Sequence, residues 1–104
     1  MEDITNKILK GSSWYIHDYI YYIKEHKFII SMLKNLDKQD KPYKNIIFTD
    51  IHDLKDNILD IDDDCIDSII GAHHDSAGMF CIKTDQQEIS FKTKNEPIIK
   101  NLCA

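Results

Sequence analysis

The chain has 104 residues, 42% of them hydrophobic and 30% charged, with a net charge of −5. That length fits one domain with its own core, and no apolar stretch approaches the roughly 18–20 residues of a membrane-spanning helix. All 13 basic residues are lysine; without the arginine fork that grips phosphate and guanine, and with an acidic net charge, nucleic-acid binding is not expected.

In chain order, residues 2–10 suggest a short helix stopped by Gly11, with Ser12 or Ser13 as the N-cap of a longer one. From Trp14 to Leu36, apolar residues such as Tyr15, Tyr19, Tyr22, Ile29, Ile30 and Leu33 follow helical spacing. They predict a helix over residues 13–36, about 36 Å long at 1.5 Å per residue. The aromatic and β-branched density of residues 14–23 also fits a strand. Residues 37–45, with Pro42, read as a polar connection, and Ile46, Ile47 and Phe48 as a short buried strand.

Residues 50–67 hold the sharpest feature. Eight aspartates and one lysine give this segment −7, so the other residues together are +2. Ile51, Leu54, Ile58, Ile61, Cys65 and Ile69 follow steps of three and four, and Asp53, Asp56, Asp60, Asp64 and Asp67 follow the opposite face. The reading is a helix over about residues 50–59, with Asp50 as N-cap, then an acidic turn, then a strand from about Cys65. The candidate partner-binding residues are Asp53, Asp56, Asp60, Asp63, Asp64 and Asp67. Against this stands the ordinary role of acidic stripes as solvated faces. Asp60-x-Asp62-x-Asp64 imitates half an EF-hand loop, but Cys65 and Gly71 stand where the template needs Gly and Glu. No metal or other cofactor is expected.

The last third is β-like. Residues 66–73, 79–84 and 88–93 are three candidate strands, with Asp75-Ser76-Ala77-Gly78 and Asp85-Gln86-Gln87 as turns. Ile98, Ile99 and Leu102 give the tail an apolar surface to dock. The expected fold class is therefore α+β: a long N-terminal helix on a mostly antiparallel sheet of about four strands, with a short acidic helix.

His73, His74 and Asp75 are a possible secondary binding group, although adjacent histidines on a strand point to opposite faces and Asp75 and Ser76 suit a turn. No Ser or Cys sits in a nucleophile motif, and no Gly-rich loop could cradle phosphate. An enzyme is not expected. Cys65, Cys81 and Cys103 are odd in number and widely spaced, which suggests reduced thiols. With an acidic N-terminus lacking a secretion signal, they point to the cytoplasm.

In its size, its acidic segment, and its lack of arginine and of catalytic motifs, the chain resembles the small immunity proteins of contact-dependent growth inhibition and related bacterial toxin systems. The resemblance implies one-to-one binding of a cognate toxin domain, often a basic nuclease, with occlusion of its active site. The alternative is a phage counter-defence protein that inhibits a host defence protein or sequesters a nucleotide messenger; His17, Lys24 and Lys27 beside the aromatic residues motivate the sequestering version.

Overall fold

The segment expected to form the long helix is instead a β-hairpin. In this computed structural model, which describes residues 2–34, 42–58 and 66–102, the described residues form nine strands and one short helix. In order they are β1 (Glu2–Asp3), α1 (Thr5–Leu9), β2 (Ile16–Tyr22), β3 (Lys27–Met32), β4 (Lys44–Phe48), β5 (His52–Ile58), β6 (Ile69–His74), β7 (Met79–Thr84), β8 (Gln87–Lys92) and β9 (Ile98–Asn101). All ladders are antiparallel and form two sheets, β1-β6-β7-β8-β5 and β2-β3-β4-β9.

The α+β expectation is thus corrected to a mostly β fold. The helix expected over residues 13–36 is β2, a turn and β3, and the acidic helix expected over residues 50–59 is the edge strand β5. β-branched and aromatic residues dominate these segments and pack better on a pleated sheet than along a helix. The expected short helix near the N-terminus is present as α1, and strands occupy the segments expected around residues 46–48, 66–73, 79–84 and 88–93.

The core lies between the sheets. β3 buries Phe28, Ile30 and Met32, and β4 buries Ile46 and Phe48; facing them are Ile69 and Ala72 of β6, Phe80 and Ile82 of β7, and Ile89 and Phe91 of β8. Four phenylalanines form the join. Phe48 meets Phe80 and Phe91 edge-on at 5.4 and 4.9 Å, and Phe28 meets Phe91 at 5.9 Å. Such contacts add about 0.5–1.5 kcal/mol each beyond area burial. Ile8 and Leu9 of α1 join the same core. Lys44 is buried at the start of β4, where its ammonium donates to Lys10 O just past α1 (2.9 Å), and burial lowers its pKa.

The sheets are also stitched by backbone. Ile16 N donates to Asp67 O (2.9 Å) and Ile69 N to Trp14 O (2.8 Å), so the chain entering β2 pairs with the entry to β6. Tyr19 of β2 bonds Gln87 at the start of β8, and Gln87 in turn bonds Asp56 of β5, so one side chain links β2 to the acidic edge. Among the described residues, no helix is long and apolar enough to cross a membrane.

Candidate functional site

β5 is the edge of its sheet, and its side chains alternate about the ladder with β8. Asp56 pairs with Ile89, whose side chain is in the core. The Asp56 side chain therefore leaves the strand on the same side as Ile89, at the open rim of the sandwich, where the residue stays exposed. It is met there by Gln87, itself buried. The amide orientation that satisfies both ends of Gln87 directs Nε2 to both Asp56 oxygens (2.8 Å each) and Oε1 to the Tyr19 hydroxyl.

Asp67 reaches the same place from the entry to β6. Its Oδ2 accepts from Thr84 Oγ1 (2.9 Å), and Thr84 Oγ1 in turn accepts from Gln87 N (3.0 Å). Burial raises the Asp56 pKa, and the nearby charge of Asp67 raises it further. Burial likewise raises the pKa of the Tyr19 hydroxyl, and Asp67, Asp56 and Asp18 add to the shift. Two like charges beside a half-exposed phenol favour an arriving cation, which would relieve their repulsion and could rest on the ring.

The predicted acidic residues are therefore divided. Asp56 and Asp67 come together around Tyr19 and Gln87. Asp53 is exposed on the same edge strand, at a bulge, with φ of +57°. Asp60, Asp63 and Asp64 lie outside the described residues. Tyr19 belongs to the aromatic group that the sequence singles out, whereas Gln87 and Thr84 had no signal as site residues, because only the fold brings the start of β8 against β2.

His73, His74 and Asp75 lie at the far end of β6 from Asp67, about 20 Å away at 3.3 Å per residue. They do not converge. His73 stands opposite Asp3 of β1, while His74 stacks on Phe80 at 4.1 Å. Asp75 shapes its turn, its Oδ1 accepting from Ala77 N (3.0 Å) and Met79 N (2.9 Å). Among the described residues no group of three or more His, Cys, Asp or Glu side chains could hold a metal ion. The Cys81 thiol, which contacts Glu88 at 3.6 Å, has its pKa raised first by burial and then by that carboxylate; this opposes thiolate formation.

A second feature lies at the end of the sandwich that holds this turn. A cleft of about 350 Å³ opens between the β6–β7 turn and the corner joining β4 to β5, lined by Asp50, His52, Ala77, Gly78, Lys92 and Lys94, with Thr93 at its base. The backbone beside it is conformationally unusual. His26 and Asp50 hold positive φ, +51° and +52°, a region uncommon outside glycine. The His26 and His52 rings lie 5.2 Å apart, and His52 Nε2 is 3.2 Å from Asp50 Oδ1.

These features define a two-sheet β protein with an acidic, aromatic edge and a separate mixed-charge cleft. Comparison of the chain with protein-family models, curated proteins and solved structures finds no match.

Proposed function

We propose that this protein works by binding, as an immunity protein that captures a basic toxin domain on the edge built from β5, Asp67 and Tyr19 and thereby blocks the toxin's active site. The observation that carries this reading is the crowding of Asp56 and Asp67 around the Tyr19 hydroxyl, where burial and mutual repulsion hold the Asp56 pKa up. A lysine or arginine of the partner placed between them would remove that repulsion, pair with both carboxylates and meet an aromatic face. With Asp53 on the same strand and a net charge of −5, the edge would also attract a basic domain over distance.

The test is co-expression with the product of the neighbouring reading frame, followed by binding kinetics at low and high salt. The double change Asp53→Lys, Asp56→Lys is expected to slow association about tenfold or more and to flatten its salt dependence. Unchanged kinetics would overturn the assignment of this edge.

A second reading, sequestering of a nucleotide messenger, draws on the cleft, where Lys92 and Lys94 offer two ammonium groups. It predicts heat on titration with cyclic dinucleotides that disappears in the Lys92→Ala, Lys94→Ala protein; a flat titration of the wild type removes it.

A further inference from the structure

The outer face of the four-stranded sheet carries a second surface, away from the core. On the inner face, Phe28, Ile30 and Met32 of β3 point to the core with Ile46 and Phe48 of β4. Alternation puts the intervening residues outside. There the register aligns one residue type across all four strands: Ile20 of β2 pairs with Ile29 of β3, Ile29 with Ile47 of β4, and Ile47 with Ile98 of β9. Ile20 and Ile98, at the two ends of the row, are 43% and 52% exposed. A continuous apolar row on an open sheet face is uncommon, because such a face ordinarily alternates to polar residues.

The neighbouring row is polar and ordered. Asp18 pairs with Ser31, Ser31 with Asn45, and Asn45 with Lys100. Ser31 Oγ bonds Asn45 Oδ1 across it at 2.7 Å. The row thus ends in a carboxylate on β2 and an ammonium on β9, with uncharged groups between them.

This arrangement is self-complementary. Stack a second copy face to face about a two-fold axis that runs along the strands between β3 and β4. Each isoleucine row then lies on the other, with Ile20 over Ile98 and Ile29 over Ile47. The same axis sets Asp18 over Lys100 and Lys100 over Asp18. We infer that this face is a homodimer interface, an isologous sheet-on-sheet stack of two copies of this chain. The charge pairs fix its two-fold orientation. A two-fold axis across the strands through the isoleucine row would instead carry the Asp18–Lys100 row to the opposite side and leave these charges without each other as partners.

Size sets the strength. Four strands span only about 14 Å between the outermost axes at ~4.8 Å spacing. The face is smaller than the roughly 800 Å² per partner of a standard interface, so the dimer is a weak, reversible one with a dissociation constant in the micromolar range. It leaves Asp53, Asp56 and Asp67 uncovered, so two copies would present two acidic edges.

Sedimentation equilibrium of the full chain over a wide concentration range is the test. The wild type is expected to show a reversible monomer–dimer equilibrium. Asp18→Lys and Lys100→Asp should each weaken it about tenfold or more, and the double swap Asp18→Lys, Lys100→Asp should restore it. Ile47→Lys, with its near-ultraviolet circular dichroism unchanged, should leave monomer. A wild type that stays monomeric to about 1 mM, or a dimer that tolerates Ile47→Lys, overturns the inference. So does a double swap that stays as weak as the single variants. If the monomer binds the toxin partner and Ile47→Lys abolishes that binding, the face belongs to the partner rather than to a second copy.

Discussion

Asp56 is an exposed charge on an edge strand, and charges there are one way that sheets avoid pairing with other chains. Its folded pKa is raised, by burial first and by Asp67 second. The carboxyl therefore favours the fold most when protonated. That contribution is complete below the unfolded value of 3.8 and is lost as pH rises through the folded value. At neutral pH the ionised group works against the fold. Asp56→Asn keeps one acceptor for Gln87 Nε2, turns its amide donor to the exposed side, and removes the charge. It is expected to stabilise the protein at neutral pH by about 0.5 kcal/mol, a modest figure because the exposed side of the carboxylate is screened by water. The gain should shrink toward zero as pH falls below the unfolded value. Urea unfolding of both proteins across the acid range measures this; a gain that grows on acidification would contradict the sign. The same substitution should weaken capture of a basic partner, so stability and binding move in opposite directions at one residue.

At the scale of elements, bulges explain what was and was not legible. A bulge adds one residue to a strand, so the step between two inward side chains becomes three instead of two. In β5 the register shifts between His52 and Lys55. Ile51 and Leu54 both lean toward the core, three apart, as on a helix. In β2 it shifts between Ile16 and Asp18, and the inward residues become Ile16, Tyr19 and Tyr21. Steps of three followed by two imitate helical spacing over a short window. β2 and β5 are also edge strands and lack the clean alternation of a strand held on two sides, whereas β3, which shares the expected helix with β2, lies between β2 and β4 and alternates strictly. β7 and β8 are flanked on both sides, and Phe80, Ile82 and Thr84, then Ile89, Phe91 and Thr93, alternate without interruption. That alternation, and the Asp75–Gly78 turn between β6 and β7, were readable from the residues alone.

That turn depends on Gly78. Its φ is +90°, and a Cβ built there would lie 3.0 Å from the backbone oxygen of Thr93, too close for a contact that cannot swing away. Thr93 N also donates to Gly78 O at 2.9 Å, so the two segments cannot part without losing a bond. Gly78→Ala meets both penalties and is expected to cost about 1–3 kcal/mol. Because Gly78 and Thr93 line the cleft, the change should disturb that end of the molecule first. Hydrogen exchange should quicken at the β6–β7 turn before it does at β3 and β4; uniform quickening would show instead that the hairpin end is fully coupled to the rest.

For the molecule as a whole, coupling between the two sheets runs through few side chains, and Phe48 is central among them. It stacks with Phe28 at 6.3 Å within its own sheet, and meets Phe80 and Phe91 of the other at 5.4 and 4.9 Å. It is fully buried. Phe48→Ala removes the ring from the middle of the cluster and leaves a cavity that backbone on both sides prevents from closing. A cost of about 3–5 kcal/mol is expected, against a total of about 5–15 kcal/mol for a domain of this size. Removal of Phe28 should cost less, since at 3% exposure it lies nearer the rim and makes one cross-sheet ring contact, to Phe91. The order of the two costs is what tests the packing. Were Phe28→Ala the more damaging in urea unfolding, the stability would rest on the β2–β3 side and its join to Tyr19. The acidic edge would then be part of the structural core rather than a surface built on top of it. If Phe48→Ala is the more damaging, the edge is mechanically separable, and charge changes at Asp53 and Asp56 can be read as effects on binding rather than on folding.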